Sequence, residues 1–220
     1  MTGAWARADA SGAAGYFAGY VDVAGTPYAV LLGGGETLAF ARLASASAVG
    51  DAYKGREAEG VYAVNGMANY TYLGSVLWTA VKQQIKGVVL EGRMRSASTS
   101  YWFCQFTACI GFDLELMDAS IAISFAYMFH TCSVVEEFSL SGFDDSKLPK
   151  IDFMFNSCVA LTTIYASAGT DWSGYSTMNV FYYDLKLVGG DGTKYSSSYA
   201  KEDYARIDGL NGTQGYFTEK

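Results

Sequence analysis

Proline is nearly absent, with 2 in 220 residues, and histidine occurs once, at position 130. Charged side chains make up only 17% of the chain. No apolar run approaches the roughly 20 residues that a spanning helix needs, so no membrane span is expected. The first residues, Met1-Thr2-Gly3-Ala4-Trp5-Ala6-Arg7, carry no basic segment followed by an apolar core, so no export signal is expected there. Basic residues are sparse too: 15 Lys and Arg face 22 Asp and Glu, for a formal net charge of −7. Nucleic-acid binding needs clustered Lys and Arg to displace counterions. The densest basic run, Arg93-Met94-Arg95, is too short for that, and nucleic acid is not an expected partner.

Half of the residues are hydrophobic and 15% are aromatic, enough to build a core and to exclude disorder. With 25 glycines and abundant Ser, Thr and Tyr, the composition favours short strands and tight turns over long helices. Tyr28-Ala29-Val30-Leu31-Leu32 and Glu36-Thr37-Leu38-Ala39-Phe40 flank Gly33-Gly34-Gly35, which predicts a β-hairpin. Residues 44–60, small and locally charged, read as a loop. Leu73–Gln84 reads as a short helix, with Leu73, Val76, Leu77 and Val81 near helical spacing. Residues 1–25 are rich in Ala and Gly with aromatic interruptions, a candidate contact for oligomer assembly.

The second half repeats itself. Phe-x-x-Cys occurs at Phe106/Cys109, Phe129/Cys132 and Phe155/Cys158, and Phe181/Asp184 keeps the Phe alone. The phenylalanines follow each other at intervals of 23, 26 and 26 residues. Three residues after each Cys slot stands an apolar residue: Phe112, Val135, Leu161 and Leu187. Val135-x-x-Phe138-x-Leu140 and Leu161-x-x-Ile164-x-Ala166 carry the L-x-x-L-x-L strand signature of leucine-rich repeats, and Ile85-x-x-Val88-x-Leu90 reads the same way. The copy from Phe112 to Met117 is degenerate. One such unit cannot bury its apolar face alone, so units stack and share a core, with Met128-Phe129 and Met154-Phe155 on the wall opposite the strands. The expected fold is a strand-dominated leucine-rich-repeat solenoid of short parallel strands plus short helical or turn segments, with an N-terminal β-hairpin region. Its expected parts are an N-terminal segment (1–25), a hairpin and capping region (26–84), the repeats (85–193) and a C-terminal cap (194–220).

Met128-Phe129-His130-Thr131-Cys132-Ser133, Leu140-Ser141-Gly142-Phe143-Asp144-Asp145-Ser146-Lys147, Met154-Phe155-Asn156-Ser157-Cys158 and Leu161-Thr162-Thr163-Ile164-Tyr165-Ala166-Ser167 resemble the BspA-like leucine-rich-repeat family, also described as the 26-residue repeat of mycoplasma surface lipoproteins. Asp171-Trp172-Ser173 and Lys186-Leu187-Val188-Gly189-Gly190-Asp191-Gly192-Thr193 resemble its terminal repeat, and Tyr204–Gly209 with Gly215–Thr218 its cap. The resemblance implies a cell-surface or secreted bacterial protein used in adhesion, and no enzymatic activity. Asp184 and the eroded first repeat depart from the pattern. Because phages of gut bacteria carry such domains too, a tail, receptor-binding or structural protein of a virion is the alternative.

Cys109, Cys132 and Cys158 share a slot with parallel Cβ vectors, so stacked free thiols are expected, with Cys104 outside the register. The slot after the repeat Phe holds Thr107, His130, Asn156 and Tyr182, unrelated polar types that suggest an exposed turn, and no nucleophile can be assigned to His130. Asp144-Asp145, Glu136-Glu137 and Asp113/Glu115 would serve a glycan-active hydrolase only across a cleft, which makes that the minor alternative. Gly189-Gly190-Asp191-Gly192-Thr193 lacks the Lys and the strand-to-helix setting of a phosphate loop and reads as a turn. No catalytic residue, metal or cofactor is assigned. Alternation along the repeat strands turns Glu137, Ser139 and Ser141, then Thr163, Tyr165 and Ser167, outward. That face is the expected binding site for a protein or glycan ligand on a host or bacterial surface.

Overall fold

The computed structural model describes residues 26–43, 49–64, 76–143, 149–174 and 178–220. Strands β1 (Thr26–Leu32) and β2 (Thr37–Leu43) pair antiparallel with Leu32 opposite Thr37. Their turn passes through Gly34 and Gly35 at φ 76° and 66°, a region glycine enters without steric cost. A second hairpin joins β3 (Ala52–Tyr53) to β4 (Arg56–Ala63). Lys54 and Gly55 both hold positive φ, 49° and 76°, as a type I′ turn requires. The loop expected over 44–60 is therefore strand from Ala52 onward; residues 44–48 lie outside the described residues. Exposed Glu57 and Glu59 alternate with buried Ala58 and Gly60, a period of two.

Downstream follow β5 (Gly87–Leu90), β6 (Met94–Arg95), β7 (Gly111–Asp113), β8 (Met117–Asp118), β9 (Glu137–Ser139), β10 (Thr163–Ala166) and β11 (Phe217–Glu219). Among the described residues they complete three sheets: a six-stranded mixed sheet in the order β3-β4-β1-β2-β5-β7, a parallel sheet β11-β10-β9 and a parallel pair β6-β8. This corrects the expected leucine-rich-repeat solenoid. Instead of one parallel sheet of repeat strands joined by short helical or turn segments, the strands split among separate sheets, and the largest mixes antiparallel with parallel pairing. No α-helix occurs among the described residues; the helical content is three 3-10 turns, Ser197–Tyr199, Glu202–Tyr204 and Leu210–Gly212.

The missing helices have a backbone cause. Tyr101 and Gln105, Tyr127 and Thr131, Phe153 and Ser157, and Asn179 and Tyr183 all hold positive φ, between 49° and 71°. A chain that enters the left-handed region at both ends of a five-residue stretch cannot run as a right-handed helix. It makes successive turns, whose amides bond to the next layer of chain: Tyr127, Phe129 and Thr131 donate to the carbonyls of Asp152, Met154 and Asn156 at 2.8, 2.9 and 2.8 Å. The helix expected over Leu73–Gln84 is also a run of turns where it is described, from Val76 onward, with buried Val76 and Trp78 on either side of exposed Leu77.

Aromatic rings fill the interior. Phe40 stacks on Trp102 at 5.4 Å and meets Phe103 edge-on, and from there Phe103, Phe129, Phe155 and Phe181 stack in sequence at 5.8, 5.6 and 5.9 Å. The column fixes a register that differs from the sequence reading. Phe103, not Phe106, precedes Phe129, and all intervals become 26 residues. Phe106 then occupies the position of Cys132, Cys158 and Asp184, while Cys109 falls in line with Val135, Leu161 and Leu187. The degenerate copy resolves as Cys109-x-x-Phe112-x-Leu114, with Phe112 against Phe138 at 5.4 Å.

Phe155→Ala removes a fully buried ring held between Phe129 and Phe181 and should cost about 3–5 kcal/mol. Val159→Ala, at a half-exposed position four residues on, should stay within about 0.5 kcal/mol. Urea unfolding of the two variants measures the difference.

Candidate functional site

The three-stranded parallel sheet positions the candidate face. β10 pairs with β9 on one edge and with β11 on the other. Phe138, Ile164 and Phe217 stand opposite one another and point inward, all buried. One residue further on, Ser139, Tyr165 and Thr218 form the next cross-strand row, and the pleat turns them outward. Glu137, exposed, stands opposite Thr163. Ser141 and Ser167 follow the strand ends, where Ser167 Oγ donates to the Ser141 carbonyl at 3.5 Å and the Ser139 and Ser141 hydroxyls lie 3.1 Å apart. The structure thus brings all six expected residues to one face.

Two residues of this face were missed by the sequence reading. Thr218 flanks Tyr165 on β11, and the Lys220 ammonium lies 5.7 Å from the Tyr165 ring centroid. The only local signal was Phe217-Thr218, a buried ring followed by an outward hydroxyl. Placing that segment beside β10 requires a pairing across more than fifty residues, which no short pattern reveals.

The glycine-rich segment 189–193 is a turn held by Asp208. One carboxylate oxygen, Oδ2, accepts from the amides of Asp191 and Thr193 at 3.0 and 2.9 Å; the other, Oδ1, accepts from the Thr193 hydroxyl at 2.7 Å and the Gly215 amide at 3.0 Å. Burial alone would raise this carboxyl, but the four donors hold it below the ordinary carboxylate range. Gly189 is required here: a Cβ would come within 2.3 Å of the Gly215 carbonyl.

Cys104, Cys109, Cys132 and Cys158 are all buried free thiols. The register corrects their assignment. Cys132 and Cys158 share a slot, and their thiols donate to the carbonyls of Phe103 and Phe129 at 3.2 and 3.1 Å. Cys104 lies within the register, at the slot of His130, Asn156 and Tyr182, in place of the expected Thr107. That slot is not an exposed turn either: Cys104 and Asn156 are buried and His130 is half-buried. Burial lowers the His130 pKa, and its Nδ1 finds no hydrogen-bond partner among the described residues. Among the described residues no group of three or more His, Cys, Asp or Glu is placed to hold a metal ion. Glu136, just before β9, and Glu137, its first residue, are both exposed, and Asp144 and Asp145 lie outside the described residues.

Asp184 ends the thiol slot with a buried carboxyl. Its Oδ1 accepts from the Cys158 amide at 2.8 Å, while Oδ2 has no partner among the described residues. Burial raises its pKa well above the usual carboxylate value despite that bond.

No protein family, curated protein or solved structure matches the chain.

With its pKa raised on folding, Asp184 keeps a proton that the unfolded chain releases near pH 4. Over that window the folded state binds more protons, so stability is full at lower pH and falls as pH rises. Asp184→Asn keeps the acceptor for the Cys158 amide and cannot ionise. It should raise stability at neutral pH by at least about 1 kcal/mol and flatten the decline, as read from melting temperatures between pH 4 and 8.

Proposed function

We propose that this protein is a non-catalytic binding or display module that engages a protein or glycan on a host or bacterial surface through the open face of β9, β10 and β11. The observation that carries this reading is the cross-strand row Ser139–Tyr165–Thr218, three hydroxyl-bearing side chains in register on one face. Tyrosine supplies a large contact area at the cost of few rotatable bonds, and the flanking short hydroxyls supply adaptable hydrogen bonds. Lys220 beside the ring and Glu137 at the start of β9 place opposite charges on the same face, which favours a polar, oriented ligand over an apolar one. The likeness of the repeated motif to bacterial surface proteins supports a place at the cell surface or in the secreted fraction.

Retention on a panel of immobilised host glycoproteins, matrix proteins and bacterial wall glycans is the first test. Tyr165→Ala should weaken a retained pair about ten-fold or more with the melting temperature unchanged. Binding that survives both Tyr165→Ala and Glu137→Ala would remove this face as the site. Immunodetection in fractions of the producing culture tests the location. Signal on intact cells or in the medium is expected, and signal confined to purified phage particles would overturn the surface reading in favour of a virion component.

A further inference from the structure

The side chains that the face of β9, β10 and β11 offers, and those it lacks, narrow the chemistry of its ligand. Among the described residues, none of the large apolar side chains that the molecule exposes lies on this face; Ile110, Val134 and Val159 precede β7, β9 and β10 instead. A protein partner would need such anchors, because interface cores are apolar and their energy concentrates in a few large buried side chains. The face offers a single ring, Tyr165, with the hydroxyls of Ser139 and Thr218 beside it on the neighbouring strands. That is the surface a sugar ring needs. Its C–H face packs on an aromatic ring, and its hydroxyls exchange hydrogen bonds with side-chain hydroxyls.

Charge sits at opposite corners of the face. Lys220 lies two residues beyond Thr218, so the pleat returns it to the same side, and its ammonium is 5.7 Å from the Tyr165 ring centroid. Glu219, between them, has the other parity and stands level with buried Ala166. Among the described residues no carboxylate pairs with Lys220, and no hydrogen bond engages the Tyr165 hydroxyl. Glu137 stands level with Thr163, four residues along and two strands across from Lys220. At about 3.3 Å per residue and about 4.8 Å per strand, the two backbones lie about 16 Å apart, beyond the roughly 8 Å over which exposed charges act at physiological salt. The Lys220 charge is therefore left to a ligand seated on the ring beside it.

We propose that the ligand of this face is an acidic sugar residue of a glycan, a hexuronate or a comparable sugar carboxylate. Its C–H face packs on Tyr165, its carboxylate pairs with Lys220, and its hydroxyls meet Ser139 and Thr218. This inference rests on the reading of β9, β10 and β11 as the binding face and narrows the ligands of that face to one chemical class. The row Ser139–Tyr165–Thr218 crosses three strands, about 10 Å, so a sugar seated on the ring meets a hydroxyl at either edge. The ammonium–carboxylate pair is charge-assisted and stronger than the hydroxyl bonds, so it sets the orientation of the sugar on the ring.

The experiment titrates the full chain with a hexasaccharide of alternating glucuronate and N-acetylglucosamine, and with the same hexasaccharide after reduction of its carboxylates to alcohols. Sialyllactose against lactose forms a second pair, and a hexaglutamate peptide controls for charge alone. Backbone amide shifts in NMR spectra at constant ionic strength report binding residue by residue. Saturable shifts at Ser139, Tyr165 and Thr218 are expected with at least one acidic glycan, its neutral counterpart binding roughly ten-fold more weakly. The acid that saturates identifies the source. Lys220→Ala, at an exposed position, should leave the acidic and neutral forms bound alike, with the melting temperature unchanged. Neutral glycans bound as tightly as acidic ones, with Tyr165→Ala abolishing both, would overturn the acidic ligand and keep the face. Acidic glycans bound as tightly by Tyr165→Ala would overturn the face and this inference together. Hexaglutamate bound as tightly as the acidic glycans, or no saturable shift with any glycan, overturns the sugar and leaves the face to protein ligands.

Discussion

The ring-on-ring contacts that join Phe103 to Phe129, Phe155 and Phe181 hold only if the chain returns to the same place every 26 residues. That return is set by the backbone rather than by the rings. Each layer has two left-handed positions four residues apart, and between them the amides point along the stack toward the next layer's carbonyls. With those bonds made, the Phe side chains have one place to go, and Phe138 and Ile164 close the core from the strand side. The face carrying Ser139, Tyr165 and Thr218 exists because their neighbours Phe138, Ile164 and Phe217 are held inward. Any change that moves the column moves the face.

Much of this was legible in the residues, and the parts that were not have physical reasons. Alternation along Val135–Ser141 and Leu161–Ser167 disclosed which side chains point outward, because the period of two is strict in a strand. The repeat was visible, but its register was read three residues late at the first copy. Cysteine is rare and drew the alignment to Phe106/Cys109, whereas the interior is indexed by ring volume, which puts Phe103 in the column and Phe106 in the thiol slot. The left-handed positions carried no glycine to betray them; Tyr, Gln, Thr, Phe, Ser and Asn stand there. With no visible break, short helical or turn segments in a repeat solenoid were the natural expectation. The strand β4 was hidden for a different reason, since Glu57 and Glu59 made a strand look like a charged loop. The bond from Arg42 Nε to the Arg93 carbonyl, 3.0 Å long, could not have been read from the sequence either, because it joins residues 51 apart.

Three aspartates show how the same side chain serves opposite ends. Asp208 is ringed by four donors and lies below the usual carboxylate range, so its charge ties the turn at 189–193 to the segment at Gly215 that leads into β11. Asp118 is also lowered: burial opposes its charge, but the Ser120 amide and hydroxyl, which donate to it, and the guanidinium groups of Arg93 and Arg95 beside it prevail. Asp184 has one amide donor and an otherwise apolar setting, and there burial prevails. Depth and the number of donors around each carboxyl together separate an anchor from a liability.

The buried thiols have a consequence for where such a chain can exist. Burial pushes Cys104 and Cys109 up to about 12 and lifts Cys132 and Cys158 well above their usual value, so almost no thiolate forms at neutral pH. Thiolate is the nucleophile that attacks oxidants and disulfides. The four thiols of the folded chain are therefore slow to react with oxidants and disulfides, and the core holds together with no cross-link among them. A protein made inside a cell and used outside it would need no chemical maturation of its core, and its covalent structure would be the same on both sides.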